Sequence, residues 1–173
     1  MTPATAPTLA TAGSPAVENW RAEDLVVDPW VEVIEACEDA VSSLVGPSFR
    51  RWVDVVTWVH SVTTHPEWDE LFPGAPIDVE VQRRSSSARY ALAHVPSASI
   101  FVPDGSWSTM LVVHELAHLA APHVVAGHVP RAPEPSHGPS FVVAELAIVR
   151  RFVGVEAWAA LRGELSAAGL DFG

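Results

Sequence analysis

The stretch Met110-Leu111-Val112-Val113-His114-Glu115-Leu116-Ala117-His118-Leu119 most constrains how this chain folds. Its apolar side chains cover nearly the whole circumference of a helix, so the segment belongs in the interior, packed between a sheet and other helices. Yet it carries three ionisable groups, and a buried unpaired charge is costly enough to shift its own pKa or to demand a partner. The spacing indicates which partner. Two imidazoles four residues apart on a helix lie about 40° apart around its axis and project together, so His114 and His118 can hold one metal ion through one nitrogen each. Glu115 lies to one side, placed as general base toward a zinc-activated water. The competing reading, a solvated helix face, is opposed by the apolar neighbours.

A catalytic zinc site takes three protein ligands and leaves one position open. The extended pattern H-E-x-x-H-x-x-G-x-x-H fails here, because Ala121 and Val124 stand where Gly and His are required and Pro122 ends the helix. The remaining candidates are His123, His128, Glu134, His137 and Glu145. His137 is the first choice, since it precedes Gly138-Pro139 at the mouth of a new helix, where the turn aims its imidazole back at the ion. Glu145 is the rival. It sits among Val142, Val143, Ala144, Leu146 and Ala147, where a lone carboxylate is costly, so it is either the third ligand or an acceptor for a ligand imidazole. Tyr90, His94, His123, His128 and Arg131 each have the chemistry to stabilise an oxyanion, and their spacing does not choose among them.

With 173 residues, 49% of them hydrophobic, the chain has material for one core. A single domain is expected over 20–173, preceded by a disordered tail over 1–19 that is rich in Thr, Ala, Pro, Gly and Ser. Cys37 is the only cysteine, which excludes an internal disulfide and a Cys-based zinc ribbon, so a metal site must use His and carboxylates. Neither a secretory leader nor an apolar run of membrane-spanning length is present, and the expected location is cytoplasmic with no membrane partner. The formal net charge of −11 opposes binding to phosphate backbones, so nucleic acid is not an expected partner. The sequence does not set the oligomeric state.

Along the chain, Asp28-Pro29 reads as an N-cap and first helical position, followed at helical spacing by Trp30, Ile34, Cys37, Val41 and Leu44 up to Gly46. Pro47 opens a second helix with Phe49, Trp52, Val53, Val56 and Val59, limited by the pre-proline residue His65. The stretch from Pro66 to Pro76 reads as a packed loop. Ile77, Val79 and Val81 alternate with polar residues as in a half-buried strand; Ala88 to His94 and Ser99 to Val102 supply two more, giving a small, mainly antiparallel sheet. Asp104-Gly105-Ser106 offers caps for the central helix. Four prolines make Pro122 to Ser136 a shaped connection rather than a helix. Pro139 starts another helix with Phe141, Val142, Leu146, Val149 and Phe152, and the last runs from Val155 to about Ala168.

Strand, capped turn, HELAH helix, variable loop and then His137-Gly138-Pro139-Ser140-Phe141 together resemble the SprT-like metalloproteases, a zincin or minigluzincin type in which HExxH is followed after a loop by an HGxxF or HGxxW segment. The pattern resembles still more closely a group of small HExxH metallohydrolases of actinobacteria, and the resemblance covers residues 77 to 152. It implies His114, His118 and His137 as zinc ligands and Glu115 as base. The implied fold is α+β and zincin-like, with the small, mainly antiparallel sheet packed on the central HExxH helix and flanking N- and C-terminal helices. In zincins the position of Ser99 to Val102 is usually an edge strand that pairs with the substrate backbone. The expected function is therefore a zinc-dependent metallohydrolase, a metallopeptidase acting on a peptide or protein with Zn2+ as cofactor. Two alternatives stand beside it: a non-catalytic, zinc-stabilised binding or regulatory module, and a SprT-type DNA-associated protease, for which this acidic chain lacks the basic surface.

Overall fold

The structure, a computed structural model, describes residues 28–46, 48–124 and 135–170, and it begins with helix α1, Val31–Val45. Ile34, Cys37, Val41 and Val45 recur at three- and four-residue steps and bury one face of α1. Leu44, expected on that face, falls beside it and is 47% exposed; Val45 takes the place. Glu38 lies four residues after Ile34, inside the apolar stripe, and is buried with it. Helix α2, Trp52–Thr63, buries Val55, Val59 and Val62 and leaves Val53 and Val56 at the surface. Valines stand at both sets of helical positions, so the periodicity alone did not distinguish the buried face.

The segment expected to be a packed loop contains a short helix, α3, Pro66–Leu71. His65 ends the preceding connection and caps α3, its Nδ1 accepting from the Glu67 amide at 3.2 Å, while Pro66 supplies the first helical position. Trp68 and Phe72 are fully buried, edge to face with ring centroids 4.9 Å apart.

Strands β1 (Glu80–Arg84), β2 (Leu92–His94) and β3 (Ser99–Pro103) form one sheet in the order β1-β3-β2. Two expectations are corrected here. The sheet is mixed rather than mainly antiparallel: β1 pairs with β3 in parallel from Glu80↔Ser99 to Arg84↔Pro103, and β2 pairs with β3 antiparallel from Leu92↔Phe101 to His94↔Ser99. The strand containing Ser99 to Val102 is central, not an edge. Ile100 and Val102 are inaccessible and Ser99 on the opposite parity is buried too, as a strand covered on both faces requires. Strand β1 also starts later than the alternation suggests, because the Ile77 carbonyl accepts from Thr63 Oγ1 at 2.8 Å and is tied to the end of α2 instead of a ladder.

Residues 104–106 make a turn off β3, with Gly105 at φ 87°, rather than a cap. The cap of helix α4, Thr109–Ala120, is Ser108, whose Oγ accepts from the Leu111 amide at 3.1 Å. Helix α4 packs against β2 and β3 on one side and against α1 and α5, Pro139–Ile148, on others. A π-type turn, Val149–Val153, and Gly154 at φ 153° lead into α6, Val155–Ala167, which lies along α1. The described residues thus form an α+β arrangement of helices around a small sheet, with α4 at its centre. None of their helices is long and apolar enough to cross a membrane. The tail expected over 1–19 lies outside the described residues.

Candidate metal centre

Helix α4 presents His114 and His118 on one face, and the turn before α5 brings His137 to the same point. His137 Nε2 lies 3.0 Å from His114 Nε2, and His118 Nε2 lies 3.2 Å from that same atom. The opposite nitrogens decide what faces inward. His114 Nδ1 lies 2.6 Å from Glu38 Oε1, and His137 Nδ1 lies 2.8 Å from Asp28 Oδ2. Asp28 is held ionised and can only accept, so His137 Nδ1 carries the proton and its Nε2 a lone pair; with Glu38 ionised, the same arrangement holds at His114. Two lone pairs 3.0 Å apart repel unless a metal ion or a proton lies between them. Tetrahedral ligands bonded to zinc at about 2.0–2.1 Å would stand about 3.3 Å apart, so the donor set fits a single divalent ion with small adjustment.

The two carboxylates behind the imidazoles come from the beginning of the described chain. Asp28 Oδ2 accepts from the His137 amide, His137 Nδ1 and Ser136 Oγ, each at 2.8 Å, and its Oδ1 accepts from the Trp30 amide at 3.1 Å. Burial works against its charge, yet these hydrogen bonds hold its pKa down at about 2. Burial also drives His118 down to about 2, with the neighbouring His114 and His137 adding to the effect, and lowers His137 against the pull of Asp28. These imidazoles are neutral at neutral pH, the form that binds a cation. The ring of Phe141 lies 4.9, 4.6 and 4.8 Å from those of His114, His118 and His137, and walls the cluster from below.

Glu115 is buried beside the cluster, where α4 meets β2. Burial pushes its pKa up to about 7, while its position beside His114, the Ala93 amide and the charge of Arg84 pull the other way. A carboxyl poised near neutrality both takes up and releases a proton at neutral pH.

The structure brings together the ligand-type nitrogens of His114, His118 and His137. Glu145 groups with Glu38 and His114, their nearest ligand-type atoms within 4.8 Å of one another, and not with His118 and His137. His123 falls in neither group and packs near Gly74. Tyr90 is 67% exposed, and His94 Nδ1 is 2.6 Å from Ser97 Oγ. His128, Arg131 and Glu134 lie outside the described residues. Sequence reasoning missed Asp28 as anything but a helix cap, and it passed over Glu38 and Arg84. For Glu38 a signal existed: an acid on the apolar stripe of α1 needs a buried partner. For Asp28 none did, since nothing local ties it to a residue 109 positions on. No protein-family model, curated protein or solved structure matches the chain.

Proposed function

We propose that the chain is a zinc-dependent metallohydrolase, a metallopeptidase in which His114, His118 and His137 hold the ion and Glu115 is the general base. The observation that carries this reading is the convergence of the three Nε2 atoms, 3.0 and 3.2 Å apart, with the facing lone pairs fixed by Glu38 and Asp28. A zinc ion bound there supplies a Lewis acid for the scissile carbonyl and lowers the pKa of water. The protein's own part is proton handling and orientation. Glu115 takes the proton of the attacking water and delivers it to the departing amide nitrogen, a two-way role that suits its raised pKa. Asp28 and Glu38 keep the imidazoles in one tautomer and one orientation. Phe141 and the apolar body of α4 exclude bulk water from the inner side of the cluster.

Among the described residues the sheet has two edges, β1 and β2, and the one beside Glu115, where an extended peptide would pair, is β2. This strand is adjacent to Glu115 through the Ala93 amide, so a substrate backbone laid along it passes the base. The HExxH helix followed by a loop and His137-Gly138-Pro139 at the head of α5 supports a zincin of the SprT-like, minigluzincin type. The deciding experiment is hydrolysis of a peptide library by the zinc-loaded protein and by Glu115→Gln. The variant should retain zinc and lose roughly 100-fold or more of the rate; an undiminished rate would refute the mechanism.

A further inference from the structure

Beyond Glu38, the polar cluster continues inward to a residue that the proposed chemistry does not use. Glu145 on α5 is 0% exposed, and neither of its oxygens meets a donor among the described residues. Its nearest polar company is the Glu38 carboxyl on α1 and, through it, His114 on α4. The position is set by helix geometry. Glu145 follows Phe141 by four residues, so the two share the face of α5 that packs on α4.

Two occupants can relieve a pair of adjacent buried carboxyls: a cation or a proton. A cation shared by Glu38, Glu145 and His114 is excluded by the 2.6 Å between His114 Nδ1 and Glu38 Oε1. That is a hydrogen-bond length, whereas two ligands on one small ion would stand about 3 Å apart or more. A proton fits. The bond from His114 Nδ1 to Glu38 Oε1 favours the ionised form of Glu38, so the shared proton is assigned to Glu145, whose oxygens otherwise have no partner among the described residues.

We propose that Glu145 is a positioning residue for the metal centre: at the buried junction of α1, α4 and α5, its carboxyl donates a hydrogen bond to Glu38 and so fixes the acceptor that orients His114. Complete burial raises the Glu145 pKa well above the usual range, with the neighbouring Glu38 adding to the rise, in keeping with a group that stays protonated. The chain Glu145, Glu38, His114 gives the imidazole an anchor in each of three helices. This role rests on the reading of the three histidines as metal ligands.

The test is zinc affinity, measured by competition with a chromophoric chelator, together with the visible spectrum of the cobalt(II)-loaded protein. Glu145→Met keeps the volume and removes the donor; it should weaken zinc binding on the order of tenfold and alter the cobalt bands. Glu145→Gln keeps a donor in the same place and should retain both the affinity and the spectrum. In a Glu38→Gln background, Glu145→Met should cost little further affinity, because its effect passes through Glu38. Wild-type affinity in a folded Glu145→Met protein, or a full additional loss in the double variant, overturns the role of Glu145. If Glu145→Met fails to fold, Glu145→Gln decides: retained affinity upholds the role and a clear loss overturns it. Wild-type protein that takes up no zinc overturns the reading of the histidines as well.

Discussion

Asp28 and His137, 109 residues apart, are joined through a single oxygen: Oδ2 accepts both the His137 backbone amide and its Nδ1, each at 2.8 Å. One bond sets the turn and the other sets the ring, so backbone and imidazole are fixed together. Replacing Asp28 with Ala should weaken zinc affinity about 10- to 100-fold, while Asp28→Asn, which keeps an acceptor oxygen, should lose less. A competition titration beside His137→Ala gives the scale, since removing the ligand itself must cost more than removing its support.

Metal binding should register as stability. If zinc binds the folded chain alone, a free concentration of a hundred times Kd adds about 2.7 kcal/mol, or roughly 5–10 °C in thermal midpoint for a chain of this size. Chelation should reverse the shift. In His118→Ala the difference between zinc-loaded and stripped protein should collapse, and a wild-type midpoint indifferent to chelator would count against the site.

The metal-free protein should be most stable near the window between the ordinary carboxyl and imidazole pKa values, 4.5 and 6.5. Burial raises Glu38 and Glu115 to about 7 and lifts Glu145 well above its ordinary value, so the folded chain keeps protons that the unfolded chain gives up above 4.5. Their contribution is whole below 4.5 and is lost as pH rises through about 7. His118 and His137 are lowered by burial, so theirs is whole above 6.5 and is lost as pH falls. Each proton of difference changes stability by about 1.4 kcal/mol per pH unit, and between the two limits the slopes oppose each other. Urea midpoints of chelated protein from about pH 5.5 to about pH 8.5 should therefore decline on the alkaline side, and Glu145→Gln should flatten that decline.

Phe141 joins the core to the histidine cluster. Its replacement by Ala removes a ring that is 1% exposed and should destabilise the metal-free fold by about 3–5 kcal/mol. Because the same ring bounds all three imidazoles, zinc affinity should fall as well. Leu161→Ala, a cavity distant in sequence from the cluster and on α6, should cost about 2–5 kcal/mol with zinc affinity kept.

What could be read from the sequence depended on whether the determining contact was local. The HELAH helix was legible because its apolar circumference and its three ionisable groups lie within one element. His137 was legible from the turn that follows it. The buried face of α2 was not, because valines occupy both possible faces, and β3 was expected at the edge from the resemblance to zincins, because its short apolar run reports burial and not the number of neighbours. Glu38 was visible as an acid in an apolar stripe, but its meaning depends on a histidine 76 positions away. Asp28 offered only a helix-start signal; its bonds to Ser136 and His137 arise entirely from tertiary packing.

If the centre binds metal as proposed, the separation of these partners along the chain would also set a time at which it can load. A growing polypeptide presents Asp28 and Glu38 early and the imidazoles of α4 well before His137 and Glu145 emerge. Until then it offers a half-site of two nitrogens, whose hold on an ion lacks the third ligand and its carboxylate support. Capture that needs all three nitrogens must wait until the segment leading into α5 has left the ribosome and closed onto α1 and α4. If the three imidazoles hold an ion as proposed, its uptake would act as an inspection of the fold, passed only by molecules whose distant parts have met.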